Sequence, residues 1–126
     1  MPAPRGELGG LRILVVEDNF LVAENLRELL AARGCDVIGP APRVEVALSL
    51  LAANGRVDGA MLDINLGGED CFPVAAALRE RDVPFLFLTG YDQGLSIPAE
   101  FRHAPRLSKP VVENDLIATA RETFAV

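Results

Sequence analysis

The sequence predicts an α/β domain built as a doubly wound, five-stranded parallel sheet with helices on both faces. Three observations predict it. Five short apolar runs rich in Val, Ile, Leu or Phe are each bounded by Gly, Pro, Asn or Asp, the pattern of buried strands. Between them lie segments whose apolar residues recur at spacings of three and four, the pattern of amphipathic helices. Four of the five runs end in a group able to do chemistry, and in a parallel sheet all those ends share one edge. Regular alternation of strand and helix implies a parallel sheet. Right-handed crossovers then favour the flavodoxin-like strand order 2-1-3-4-5.

The elements follow in order. Residues 1–10, rich in Pro and Gly, are expected to be a disordered lead-in, with the domain running from 11 to 126. Leu11 to Val16 is the first strand and ends in Glu17-Asp18-Asn19. A helix begins after Asn19, its N-cap, with Phe20, Leu21, Ala23, Leu26, Leu29 and Leu30 apolar and Gly34 closing it. Cys35 to Pro40 is a short second strand. Arg43 to Ala53 is the second helix, with Val44, Ala47, Leu48 and Leu51 on one face. The stretch Val57 to Gly68 carries the third strand: the run Ala60-Met61-Leu62 meets Asp63 and then breaks into a Gly-rich loop. The third helix spans Cys71 to Arg81, with Asp70 as a candidate cap and Pro73 in its first turn. Pro84 to Leu88 is the fourth strand, ending at Thr89-Gly90-Tyr91. The segment Asp92 to His103 carries Gly94, Ser96 and Pro98, so the fourth helix is expected to be short or irregular, near Ala99 to Arg102. Arg106 to Ser108 is the fifth strand, followed by Lys109-Pro110. The last helix covers Glu113 to Phe124, with Leu116, Ile117 and Ala120 inward.

Composition narrows the function classes. A net charge of −6 argues against nucleic acid as a partner, which calls for a basic face, but suits a cation site. No apolar run is long enough to span a membrane, and the N-terminus has no secretory h-region. Cys35 and Cys71 form neither a metal-ligand spacing nor a disulfide framework, and Cys71 reads as a packing residue. A cytoplasmic location is the expectation. Of the 12 basic residues 11 are Arg, and Lys109 is the single lysine. A chain this biased toward Arg keeps a compact ammonium at that one position, where charge geometry matters or where chance put it.

The strand ends form a constellation. Strands 1 and 3 are neighbours in the expected order, so Glu17, Asp18 and Asp63 converge. Three close carboxylates repel unless neutralised, and an oxygen-loving divalent cation such as Mg²⁺ is the simple answer. Thr89 and Lys109 on the other side of Asp63 complete a phosphate-shaped site. The chemistry this suggests is phosphoryl transfer onto a carboxylate: Asp63 would be the nucleophile, with metal and Lys109 offsetting the charge. Each group alone has a plainer explanation: an acidic pair favours a helix dipole, an Asp after a strand caps a turn, and Thr or Lys-Pro at a strand end is ordinary. Their occurrence together, one per strand end in order, is what points to a site.

From Leu11 to Phe124 the chain resembles the receiver domains of two-component response regulators. The resemblance rests on Val15-Val16-Glu17-Asp18-Asn19, Leu62-Asp63-Ile64-Asn65-Leu66, Leu88-Thr89-Gly90 and Ser108-Lys109-Pro110. It implies that Asp63 is the phospho-acceptor, and that Glu17, Asp18 and Asp63 bind Mg²⁺ with the backbone carbonyl of Asn65. It implies that Thr89 and Lys109 contact the phosphoryl group, and that the Lys109-Pro110 peptide is cis. The family usually carries Tyr or Phe three residues before the lysine; here that position is Arg106. The stretch Phe87-Leu88-Thr89-Gly90-Tyr91 resembles a single-domain subgroup with a Phe-x-Thr-Gly-Tyr motif, no strand-5 aromatic and a poorly formed fourth helix. Tyr91 then becomes the expected switch residue, with phosphorylation reordering Tyr91 to His103; a half-buried loop aromatic is the plain alternative.

The expected function is phosphorelay signal transduction. The chain is read as a stand-alone receiver phosphorylated by a histidine kinase or a histidine phosphotransfer protein. It would signal to an unnamed protein partner by direct contact or serve as a phosphate sink. It is not read as an enzyme beyond its own phosphotransfer and autodephosphorylation. Two alternatives stay open: a receiver fragment of a longer response regulator, and an aspartyl-phosphate phosphatase. The latter typically wants a second acid two residues after the nucleophile, where this chain has Asn65. A pure interaction module with a vestigial site is a third reading, against which the intact residue set argues.

Overall fold

The apolar run at the start of the domain folds as strand β1 (Arg12–Val16) and leads directly into helix α1 (Phe20–Ala32). Among the described residues the remaining elements are β2 (Asp36–Ala41), α2 (Val44–Ala53), β3 (Gly59–Asp63), α3 (Phe72–Glu80), β4 (Phe85–Thr89), a 3-10 turn (Ala99–Phe101), β5 (Arg106–Ser108) and α4 (Glu113–Thr123). This computed structural model describes residues 8–90 and 97–124. The five strands are parallel and lie in the order β2-β1-β3-β4-β5, as the alternation of elements predicts.

Period-two alternation divides the core. Leu14 and Val16 of β1, Ala60 and Leu62 of β3, and Phe87 of β4 face the layer of α2, α3 and the 3-10 turn. Ile13, Val15, Met61, Leu86, Leu88 and Leu107 face α1 and α4. The central strands are apolar on both faces because both are covered, which is why they read as continuous runs. The inward stripes are Ala23, Leu26 and Leu30 on α1, Ala47 and Leu51 on α2, Val74, Ala75 and Leu78 on α3, and Leu116, Ile117 and Ala120 on α4.

Several expectations shift. Leu8 to Gly10, read as part of the lead-in, are joined to the domain. Leu8 is fully buried in the α1/α4 layer, and its N–H donates to the Arg33 carbonyl at 3.1 Å while Gly10 N–H donates to Gly34 O at 3.0 Å. The apolar Leu8 at a short spacing from β1 is what overrides the local Gly/Pro signal. Phe20 and Leu21, counted in the apolar pattern of the first helix, are 75 % and 77 % exposed, because the buried stripe of α1 starts only at Ala23. The expected weak fourth helix is the three-residue 3-10 turn. It is held by packing rather than by length: Phe101 stacks on Phe72 at 5.9 Å and meets Phe85 and Phe87 edge-on. Arg79 lies 5.1 Å over the Phe101 ring and bonds the Glu100 carbonyl at 3.0 Å.

Gly59, the first residue of β3, lies under the ring of Phe124. A Cβ there would stand 2.4 Å from two ring carbons. Gly59→Ala is expected to destabilise the fold by about 2 kcal/mol, the usual size of an overpacking defect. Combining it with Phe124→Leu should return part of that loss, as a urea titration of the single and double variants will show.

Candidate functional site

Register sets the site. Val16 pairs with Leu62 and Asp63 with Leu88, and Thr89 pairs with Ser108. Glu17, Asp63, Thr89 and Lys109 therefore come to one sheet edge, four residues from four parts of the chain. Each is held by backbone. Glu17 N–H donates to Ala41 O at 3.0 Å, Ile64 N–H to Leu88 O at 3.3 Å, and Lys109 N–H to Thr89 O at 2.8 Å. The Lys109-Pro110 peptide is cis, as the family resemblance implies; Gly39-Pro40 is a second cis peptide, which the sequence reading did not expect.

Glu17 and Asp63 are each 2 % exposed, whereas Asp18 is exposed. Ligand oxygens of the three all lie within 4.8 Å of one another. The Lys109 ammonium sits between the buried pair, 2.7 Å from Glu17 Oε1 and 3.0 Å from Asp63 Oδ2. Glu17 Oε2 accepts from Asn19 N–H at 3.1 Å, and Asp63 Oδ1 from Asn65 N–H at 3.3 Å. Glu17 Oε1 has no aligned hydrogen bond despite its burial, so the ion pair with Lys109 is the contact that meets it. Asn19, the expected N-cap of α1, accepts from Val22 N–H at 3.1 Å and so fixes the turn that presents the acidic pair.

The electrostatics follow from burial and crowding. Burial first, then the neighbouring Glu17, raise the Asp63 carboxyl to about 7 in the metal-free protein, against the opposing pull of Lys109. Burial works against the Lys109 ammonium, but Glu17 and Asp63 outweigh it and hold its pKa above the ordinary lysine value. The folded state therefore binds a proton on Asp63 that the unfolded chain has already lost. Metal-free stability is expected to fall as pH rises from the unfolded carboxylate range near 4 through 7, and to level off above it. Urea midpoints in EDTA at pH 5 and pH 8 check the sign.

The donor set fits a hard divalent cation: oxygens only, two of the three carboxylates buried, and one buried oxygen without an aligned donor. The loop after Asp63 supports the same place. Asn65 forms an antiparallel bridge with Asp70, closed by Cys71 N–H to Ile64 O at 3.1 Å and Leu66 N–H to Glu69 O at 2.8 Å. Neither bond uses the Asn65 carbonyl, the fourth expected ligand. Gly67 has φ +65°, and a Cβ on it would stand 3.4 Å from Asp18 Oδ2, so the loop passes close beside the acidic pair.

Thr89 is buried at the same edge, but its hydroxyl donates to Leu107 O at 3.5 Å, a long bond, rather than to the carboxylates. Tyr91 lies outside the described residues. Arg106, in the place of a strand-5 aromatic, is exposed. Cys71 is fully buried, and burial, helped by Asp70 and Asp63, pushes its thiol to about 12, which agrees with a packing role. Sequence reasoning missed Glu69, whose carboxylate accepts from Val44 N–H at 2.9 Å. The signal was available only indirectly, in a second helix whose N-cap is Arg43 and has no capping side chain.

The model of the response regulator receiver domain family matches residues 13–121. The chain belongs to that family. It is 32% identical over 115 residues to the sensory transduction protein LytT of Bacillus anthracis, covering 89% of this chain and 46% of the relative. It is 36% identical over 119 residues to the response regulator MprA of Mycobacterium sp. (strain KMS), covering 88% and 49%. This receiver domain thus spans about half the length of the curated relatives it matches. The solution structure of SdrG from Sphingomonas melonis Fr1 superposes with a TM-score of 0.79 at 38% identity, covering 92% of this chain and 97% of that one. A response regulator receiver protein from Burkholderia phymatum superposes at 0.80 with 26% identity, covering 92% and 96%. Receiver domains are regulatory modules of two-component phosphorelays and act with histidine kinases, and the family typically binds Mg²⁺ in an acidic pocket. Among the described residues, no helix is long and apolar enough to cross a membrane.

Proposed function

We propose that this receiver domain accepts a phosphoryl group on Asp63 from a phosphohistidine donor, a histidine kinase or a histidine phosphotransfer protein. The observation that carries the reading is the shared ammonium: Lys109 bridges two buried carboxylates, and a third stands within ligand distance of them. A buried carboxylate that meets an ammonium, and a divalent cation when one is bound, is a nucleophile with positive charge set where more negative charge will arrive. Glu17, Asp18, Asp63 and the Asn65 carbonyl would hold Mg²⁺, which when bound neutralises the acidic cluster and anchors a phosphoryl oxygen. An Asp63 oxygen attacks phosphorus, the donor's P–N bond breaks, and the imidazole leaves with the electron pair. Lys109 Nζ moves its contact from the carboxylate towards the incoming phosphoryl oxygens, and Thr89 Oγ1, weakly bonded to Leu107 O, is free to turn to the same group.

Signal output follows by contact with a protein partner, or the domain serves as a phosphate sink; both uses belong to the cytoplasm, where kinases draw on ATP. Phosphoramidate, a small donor with the same P–N bond, tests the acceptor. After incubation with Mg²⁺ and reduction by borohydride, the acyl phosphate becomes homoserine, and peptide mass mapping is expected to find it at position 63. Homoserine at any other aspartate, the reduced alcohol at a glutamate instead, or no reduced residue at all contradicts the assignment.

A further inference from the structure

Helix α2 has no cap of its own. Its N-cap residue is Arg43, whose side chain makes no capping bond, although the first N–H groups of a helix ordinarily take a side-chain partner. The partner comes from a distant loop: Val44 N–H donates to Glu69 Oε1 at 2.9 Å. Glu69 belongs to the loop that leaves Asp63. Its own carbonyl accepts from Leu66 N–H at 2.8 Å, so residue 69 is engaged through both its main chain and its side chain. Between these bonds lie Gly67 and Gly68, with φ +65° and +104°. Two glycines widen the conformations open to the loop; the Asn65–Asp70 bridge and the Gly68 N–H to Asn65 Oδ1 bond at 3.3 Å close it on itself, and the Glu69 bond is what ties it to α2. The bond is exposed and satisfies no buried group, so what it supplies is position rather than burial.

We propose that Glu69 is a positioning residue for the cation site: by bonding Val44 N–H it fixes the 65–70 loop, hence the Asn65 carbonyl and the approach of Gly67 to Asp18, and so sets Mg²⁺ affinity. The inference rests on the metal-site reading above. Glu69 itself is no ligand, and its action runs through the loop. A rival account is that Glu69 adds only negative charge near a cation. The two accounts separate cleanly, because the bond has a donor that can be deleted without touching the charge. Arg43 has φ −142° and ψ 159°, the extended conformation suited to the residue before proline. Position 44 is the first of the helix, where proline is tolerated. Val44→Pro therefore removes the N–H and leaves Glu69 intact.

The experiment is a calorimetric titration of the whole chain with Mg²⁺ alone, with metal-free unfolding midpoints recorded beside it. Glu69→Ala and Val44→Pro are each expected to weaken Mg²⁺ binding roughly tenfold, the low end for loss of an outer-shell partner. The double variant should be no weaker than either single, since both remove one bond. Glu69→Gln, whose amide oxygen accepts the same N–H, should keep the wild-type affinity. Equal affinity in wild type, Glu69→Ala and Val44→Pro overturns the proposal. So does weakening in Glu69→Gln equal to that in Glu69→Ala with Val44→Pro unaffected, which would assign the effect to charge. Absence of Mg²⁺ binding in the wild type would instead overturn the metal-site reading, and the positioning role with it.

Discussion

Lys109→Ala is expected to cost the metal-free domain about 3 kcal/mol, the low end for removing one partner of a buried ion pair. The reason is the company it keeps. Its ammonium is 2.7 Å from Glu17 and 3.0 Å from Asp63, and both carboxylates are buried. Without it, two negative charges face each other with no cation, and Asp63, already raised by burial and by Glu17, must hold its proton still higher. The loss should therefore be larger at pH 8 than at pH 5, where Asp63 is protonated, and Mg²⁺ should return most of it. The same change is expected to slow phosphorylation by a small donor roughly 100-fold, the usual loss when one preorganised positive donor to a developing anion is removed. Lys109→Arg keeps the charge but spreads it over a planar fork, and should restore more of the stability than of the rate. Urea titrations in EDTA with a parallel time course on acetyl phosphate measure both. An unchanged unfolding midpoint for Lys109→Ala would mean that the carboxylates do not depend on the ammonium.

Asp63→Asn should do the opposite to stability while ending phosphoryl acceptance. An amide keeps an oxygen to accept the Asn65 N–H, and its nitrogen can donate to Glu17 where a carboxylate oxygen had crowded it. At pH 8 the metal-free variant is expected to be more stable than wild type by about 1 kcal/mol, the scale of a single pKa unit. At pH 5 the advantage should vanish, because wild-type Asp63 then carries its proton. The sign follows from linkage: a carboxyl whose folded pKa lies above its unfolded value withdraws stability as pH rises between the two. The variant should also respond less to Mg²⁺, having lost one ligand. A site that is less stable when its acceptor is ionised is expected of a functional site, where burial and like charge are held against their own cost.

Much of this site is legible in the sequence, because each piece is announced locally. Apolar runs that stop at Asp63, Thr89 or Lys109 announce strand ends, and a parallel sheet carries those ends to one edge. The single lysine in an Arg-rich chain marks Lys109, and the structure gives a reason for it, since one compact ammonium reaches two carboxylates at once. What the sequence does not announce depends on contacts between distant segments. The burial of Leu8 requires knowing that Arg33 and Gly34 return beside it. The exposure of Phe20 and Leu21 is invisible to periodicity, which reports spacing and not the rotational phase of the first turn. Gly59 reads as an ordinary strand residue until Phe124 is placed against it. Glu69 reads as one more loop acid until Val44 N–H is found at its tip.

Intact mass after incubation with acetyl phosphate, with Mg²⁺ and with EDTA, for wild type and Asp63→Asn, decides whether Asp63 accepts the phosphoryl group with the help of the metal. One added phosphoryl group is expected in wild type with Mg²⁺, little in EDTA and none in Asp63→Asn. An adduct of equal yield in Asp63→Asn, or one indifferent to the removal of Mg²⁺, would contradict that role.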